Sequence, residues 1–164
     1  ILNMASEIPT IRQTAWISVI PQFLFMGLLL LVFHQISPKN AVLYGAITYL
    51  SISYFLRFFI PKSHRKGLSL YKENQFLEGI DSFQKSYNFF DQNEYLDKYR
   101  YLLLLSSSKM GYKEMALNNI AFGYSQIGDG KNAKEYYERL LTEFPNNSIA
   151  KAAIKMINSA EKSE

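Results

Sequence analysis

Hydrophobic positions are laid out in two different ways along this chain. From Ala15 to Phe33 the residues AWISVIPQFLFMGLLLLVF run for 19 positions without a formal charge. As a helix that run is about 28 Å long, close to the hydrocarbon thickness of a bilayer. A second apolar run, Ala41 to Ile60, carries one charge, Arg57. The short polar stretch His34-Gln35-Ile36-Ser37-Pro38-Lys39-Asn40 between them reads as the tight turn of a helical hairpin. Beyond Pro61 the apolar residues fall into stripes instead. Phe76, Ile80, Phe83, Tyr87 and Phe90 recur at steps of four and three, the period of one helix face. Leu96, Tyr99 and Leu103 repeat it, as do Leu117, Ile120, Tyr124 and Ile127, then Ala133, Tyr137, Leu140 and Leu141, then Ile149, Ala152, Ala153 and Met156.

Breaks separate these stripes at Lys72-Glu73-Asn74, Asp91-Gln92-Asn93, Lys109-Met110-Gly111, Gly128-Asp129-Gly130 and Pro145-Asn146-Asn147. About six helices and no strands are therefore expected after residue 61, the third of them over 94–110. The chain divides into an N-terminal segment (1–14), a two-helix transmembrane hairpin (15–61), a helical domain (62–160) and a short tail (161–164). Gly111, with Glu114 three residues on, has the outline of a capped helix start, although glycine brings no side-chain acceptor.

Charge sharpens the division. Residues 1–61 hold only Glu7, Arg12, Lys39 and Arg57, whereas 62–164 hold 15 basic and 13 acidic residues. The two parts thus suit different solvents. An arginine at a bilayer centre costs at least ~2.5–3.5 kcal/mol, but one near a helix end can snorkel to the interface. Trp16, Arg57, Lys62, Arg65 and Lys66 are the expected membrane-interface anchors. Pro21 and Gln22 interrupt the first run, and Gln22 would prefer a helix contact to lipid. Basic residues cluster at the C-terminal flank and are nearly absent from the turn. That asymmetry places both termini in the cytoplasm of a bacterial-type inner membrane, the chain being multi-pass. A cleaved signal sequence, a buried hairpin of a water-soluble protein and an interfacial pair are the competing readings of 15–60.

The net charge of +4 is too small and too dispersed for a nucleic-acid surface. There is no cysteine, hence no disulfide, thiolate metal site or cysteine nucleophile. No metalloprotease or serine-hydrolase motif occurs. Gly128-Asp129-Gly130-Lys131 only faintly resembles a phosphate loop, with Ser125 and Asn132 at positions where that loop needs other residues, so it reads as a helix–helix turn. No catalytic residue, metal or cofactor is expected.

The run Leu117-Asn118-Asn119-Ile120-Ala121-Phe122-Gly123-Tyr124, followed by Gly128, Ala133, Tyr137 and Pro145, resembles a tetratricopeptide repeat over 114–147. Gly67, Leu70, Gly79 and Phe83 have the spacings of a weaker copy over 60–93, with Asn74 where the later copy has Gly128. The copies stand 54 residues apart (Gly67 to Ala121), one repeat plus an inserted helix. The resemblance implies an all-α α-solenoid packed through Gly67, Gly79, Phe83, Leu117, Ala121, Tyr124, Gly128, Ala133, Tyr137 and Pro145, with 148–160 as a closing helix. It also implies a concave protein-binding groove formed by His64, Leu68, Tyr71, Lys72, Asn118, Phe122, Ser125 and Gln126. Phe122 has a second reading, packing on the inserted helix at 95–107. The expected function is a non-catalytic, membrane-anchored adaptor or assembly factor with a protein or peptide partner and the lipid bilayer as its surroundings. The alternative is an accessory subunit of a transporter or membrane enzyme, held by its apolar helices. A homo-oligomer or a larger membrane complex is compatible with either.

Overall fold

The computed structural model describes residues 14–161, and every regular element among them is helical. Glu7, Arg12 and residues 162–164 lie outside the described residues. A 3₁₀ turn at Trp16–Ser18 leads into α1 (Val19–Ile36). A second 3₁₀ turn at Pro38–Asn40 leads into α2 (Ala41–Phe59). Pro21 therefore lies in the first turn of α1, where amides have no acceptor within the helix, and it interrupts nothing.

The two helices pack antiparallel through Phe33 with Tyr44 and Phe25 with Tyr49, each pair with ring centroids 6.0 Å apart. The buried residues of α2 are Ala41, Gly45 and Ser53, small side chains on one face at multiples of four. They let the backbones approach, and a Cβ at Gly45 would already stand 3.0 Å from Leu30. α1 has no buried residue at all. Phe23, Leu24, Leu31, Val42 and Leu50 are 64–73% exposed. Both segments are long and apolar enough to cross a membrane.

Past Pro61 follow α3 (Lys62–Lys72) and α4 (Phe76–Gln92), two short helices α5 (Glu94–Lys98) and α6 (Arg100–Leu103), then α7 (Tyr112–Gln126), α8 (Gly130–Glu143) and α9 (Ser148–Glu161). α3, α4, α7, α8 and α9 lie in a row, each packed on the next, while α5 and α6 make an excursion that brings α6 against α1. One cluster joins Tyr71, Ile80, Phe83 and Ile120; another joins Tyr87, Leu117, Ala121, Tyr137, Leu140 and Ala150.

The 54-residue offset is present in the backbone. In the α3–α4 turn the Asn74 amide donates to Tyr71 O and the Gln75 amide to Leu70 O. In the α7–α8 turn the Gly128 amide donates to Ser125 O and the Asp129 amide to Tyr124 O. Asn74 and Gly128 are both left-handed, with φ of 59° and 78°. These bonds close the two helices in the same way, with glycine and asparagine meeting the φ requirement. The Gly128–Gly130 segment is thus a helix–helix turn, and Asp129 caps α8 by accepting from the Asn132 amide at 3.0 Å.

Tyr71 is wedged between small residues of two other helices. A Cβ at Gly79 would lie 2.2 Å from its ring, and one at Gly123 would lie 2.0 Å from its hydroxyl oxygen. That hydroxyl donates to the Asn119 carbonyl at 2.7 Å. On the other side of the row, Lys113 pairs with Asp91 at 2.6 Å and Glu143 at 3.2 Å, and the Tyr87 hydroxyl donates to Glu143 at 2.8 Å. Burial works against ionising Lys113 and Glu143, but these bonds outweigh it, raising the pKa of the lysine and lowering that of the glutamate.

The expected third helix over 94–110 is the main departure. The chain leaves helical geometry at Tyr99, and after α6 it turns through Leu105 at φ 48°. Leu104 and Leu105 are 0% and 2% exposed. A continuous helix would point successive leucines in different directions, whereas the turn buries two neighbours together and leaves Ser106-Ser107-Ser108 to make local bonds.

Candidate functional site at the foot of the apolar pair

Two polar residues of the apolar helices meet on one atom. Gln22, in the first turns of α1, donates through Nε2 to the carbonyl oxygen of Leu105 at 3.2 Å, and the Arg57 guanidinium, near the end of α2, donates to the same oxygen. A left-handed leucine is unfavourable by roughly 1–2 kcal/mol. Here that conformation turns the carbonyl toward both donors while the side chain is buried. Beside it the Ala15 amide donates to Ser107 O at 2.9 Å, and Thr14 forms an isolated antiparallel bridge with Ser108. The stack is thereby fastened to the start of α1 and the end of α2 through residues 105–108.

Arg100 and Asp97 hold that segment in shape. Arg100 donates from Nε to Ser108 O at 3.1 Å and from its two terminal nitrogens to Asp97 O at 2.9 Å and Lys109 O at 2.6 Å. The Asp97 carboxylate accepts from the amides of Tyr112 and Lys113 at 2.7 and 2.9 Å, so it caps α7 from outside that helix. This supplies the acceptor that Gly111 lacks. A Cβ at Gly111 would stand 2.7 Å from Asp97 Oδ2, which explains a glycine there. Glu114 does not close a reciprocal cap; it accepts from Asn147 Nδ2 at 2.9 Å, and Asn147 caps α9 through the Ala150 amide.

His64 lies against this region from α3. It is 4% exposed, its ring edge-on to Phe83 at 5.2 Å and Tyr112 at 5.5 Å, and its Nδ1 has no hydrogen-bond partner among the described residues. Burial without a partner lowers its pKa to about 4, so the ring is neutral at physiological pH.

The residues expected to form a groove do not share one open surface. His64 and Tyr71 are buried by Phe83, Gly79 and Gly123, so neither can line it. The reason is the small residues opposite them, which draw the larger rings inward. Leu68, Asn118 and Phe122 are half-buried, and Lys72, Ser125 and Gln126 are exposed. Phe122 packs on Tyr71 and Phe76, with centroids 6.0 and 6.5 Å away, rather than on residues 95–107. Of the packing set, Gly67, Gly79, Phe83, Leu117, Ala121, Ala133 and Tyr137 are buried, Tyr124 is half-buried, and Gly128 and Pro145 are exposed at turns. Among the expected anchors, Trp16, Lys62, Arg65 and Lys66 are exposed. Arg57 is exposed as well, and its guanidinium also donates to the Leu105 carbonyl.

No family model, curated protein or solved structure matches the chain. The residues that sequence reasoning passed over here are Asp97, Arg100, Leu105 and Ser106–Ser108. Their roles depend on contacts between distant segments and leave no local periodicity. Gly123 falls within the repeat-like run, but its contact with Tyr71 comes from 52 residues upstream.

Proposed function

We propose that this chain is a membrane-anchored, non-catalytic adaptor or assembly factor: α1 and α2 span the bilayer as a hairpin, and the stack from α3 to α9 recruits a protein partner on the cytoplasmic side. The observation that carries the reading is the exposed apolar surface of α1 and α2. A water-soluble protein would have to cover a face on which Phe23, Leu24, Val42 and Leu50 are all more than 60% exposed. The polar latch lies at one end of the pair, beside Trp16 and the exposed Lys62, Arg65 and Lys66, as an interface with lipid headgroups requires. The recurrence of turn geometry and small-residue packing at a 54-residue offset supports the likeness of the stack to tetratricopeptide repeats, which act as protein-binding scaffolds.

One observation favours the alternative of an accessory subunit. A groove of ≈ 740 Å³ lies along the apolar pair, lined by Leu24, Gly27, Leu28, Leu31 and Val42 among others. A Cβ at Gly27 would meet nothing within 4 Å, so there is room for another helix. The two readings separate on exchange of residues 1–61 for an unrelated hairpin, followed by purification in mild detergent. Retained co-purification of the native partner, with loss on Lys72→Glu combined with Ser125→Arg, supports the adaptor. Loss of the partner on exchange of the hairpin alone supports the accessory subunit.

A further inference from the structure

A cavity of ≈ 420 Å³ opens where the apolar pair meets the stack, within the roughly 300–1,000 Å³ of small-molecule sites. Two guanidinium-bearing residues, Arg57 and Arg65, line it together with Ser106, Ser107, Ser108 and Tyr112, and no carboxylate among the described residues does. Neither arginine has an ion-pair partner among the described residues. Arg57 uses one of its five donors on Leu105 O. Arg65 has its guanidinium 3.8 Å above the Phe58 ring, which leaves its in-plane N–H groups free for an acceptor. Two guanidinium groups with no ion-pair partner among the described residues, facing one cavity, form a donor-rich site for a compact anion, although the Ser108 hydroxyl is already committed to Met110 O. Guanidinium pairs match phosphate oxygens in geometry as well as charge.

We infer that this cavity binds a phosphate group, taken from the headgroup of an anionic phospholipid at the foot of the hairpin. The inference of a lipid source rests on the membrane-spanning reading; the phosphate chemistry does not. A lipid held there would join the two donors of the cavity that belong to different elements, α2 and α3, and would touch the serine segment that is fastened to α1. Binding would therefore steady the angle between the hairpin and the stack.

The test uses the full chain purified in neutral detergent, with phosphatidylglycerol and phosphatidylcholine offered in equal amounts and bound lipid counted by native mass spectrometry. One phosphatidylglycerol per chain is expected, preferred roughly tenfold over phosphatidylcholine, whose identical phosphodiester is offset by a quaternary ammonium that Arg57 and Arg65 repel. Arg65→Gln should bring the two lipids to parity, and Arg65→Lys should retain part of the preference. Arg65 makes no bond in the latch, so its replacement leaves the fold in place, which circular dichroism verifies. Lys151→Gln with Lys155→Gln, a larger charge loss on exposed positions of α9, should keep the preference. Inorganic phosphate identifies the source. If it displaces the lipid from the wild-type chain, the headgroup phosphate is the group recognised. If the chain proves soluble without detergent yet binds inorganic phosphate through Arg65, the site stands and the membrane reading falls. Equal binding of both lipids by an integrally embedded chain, or a preference that survives Arg65→Gln, overturns the site and leaves the membrane reading intact.

Discussion

The Arg57 guanidinium is hydrogen-bonded to the carbonyl oxygen of Leu105, 48 residues further along the chain. The bond crosses the boundary at which composition changes from apolar to charged. It ties the last turn of α2 to a segment of the stack that has left helical geometry, and Gln22 of α1 reaches the same oxygen.

Arg57→Met with Gln22→Leu should loosen the joint between α2 and the stack without unfolding the row of helices. Removing both donors leaves a part-buried carbonyl without its partners, at a cost of about 1–3 kcal/mol local to the joint. Amide exchange should accelerate across 100–110 and at Ala15, while α7 and α8 keep wild-type protection. Unchanged exchange at Ala15 would show that the joint does not depend on the shared carbonyl.

Tyr71 gives a prediction about coupling. Gly79→Ala and Gly123→Ala each force a methyl group into its side chain, and each should destabilise the stack by about 1–3 kcal/mol. The two clashes differ in location: the Gly123 position faces the hydroxyl oxygen and the Gly79 position faces the ring carbons. Tyr71→Phe should therefore soften Gly123→Ala and leave Gly79→Ala as damaging as before. Chemical denaturation of the double variants measures this.

His64 sets an acid limit on stability. Its folded pKa, about 4, lies below the unfolded value of 6.5, so the unfolded chain binds the extra proton between those pH values. The contribution of the neutral, buried ring is complete above pH 6.5 and is lost as the pH falls toward 4, with about 2 kcal/mol gone at pH 5. Glu143 acts in the same direction at lower pH, since its folded pKa is depressed below the model-compound 4.5. His64→Leu should remove the histidine part alone. Its stability relative to wild type should rise between pH 7 and pH 5, as read by thermal denaturation. A constant gap over that interval would mean that the ring is not buried as described.

Asp97→Ala should cost about 0.5–2 kcal/mol by uncapping α7. The effect should appear as earlier exchange of the Tyr112 and Lys113 amides. Asp97→Asn, which keeps an acceptor oxygen, should recover part of it.

Helix positions after residue 61 were legible wherever one stripe faced one neighbour. The stripes at Phe76–Phe90 and Leu117–Ile127, taken with the breaks that flank them, gave their helices within a residue or two, because burial on a single face imposes the 3.6-residue period. The matching turns 54 residues apart were legible as well, through Asn74 and Gly128. Residues 94–110 were not. Leu96, Tyr99 and Leu103 have helical spacing, but the same leucine run is also drawn to α1, and this distant contact ends the helix after Leu103. The groove assignment missed for a related reason. An exposed position on an isolated helix face is not exposed once Gly79 and Gly123 admit a tyrosine from the neighbouring helix. Small residues mark where something large will pack, yet the sequence does not say from where it comes.

The proposed placement has α1 and α2 crossing a bilayer with the stack on one side. Because the chain contains no cysteine, a single introduced thiol is a unique label site. Lys39→Cys, in the turn between α1 and α2, and Lys155→Cys, exposed on α9, are to be treated with a membrane-impermeant maleimide in intact cells and again after permeabilisation. The predicted result is labelling at position 39 in intact cells and at position 155 only once the membrane is opened. Labelling of both positions in intact cells, of neither until the membrane is opened, or of position 155 alone in intact cells would contradict it.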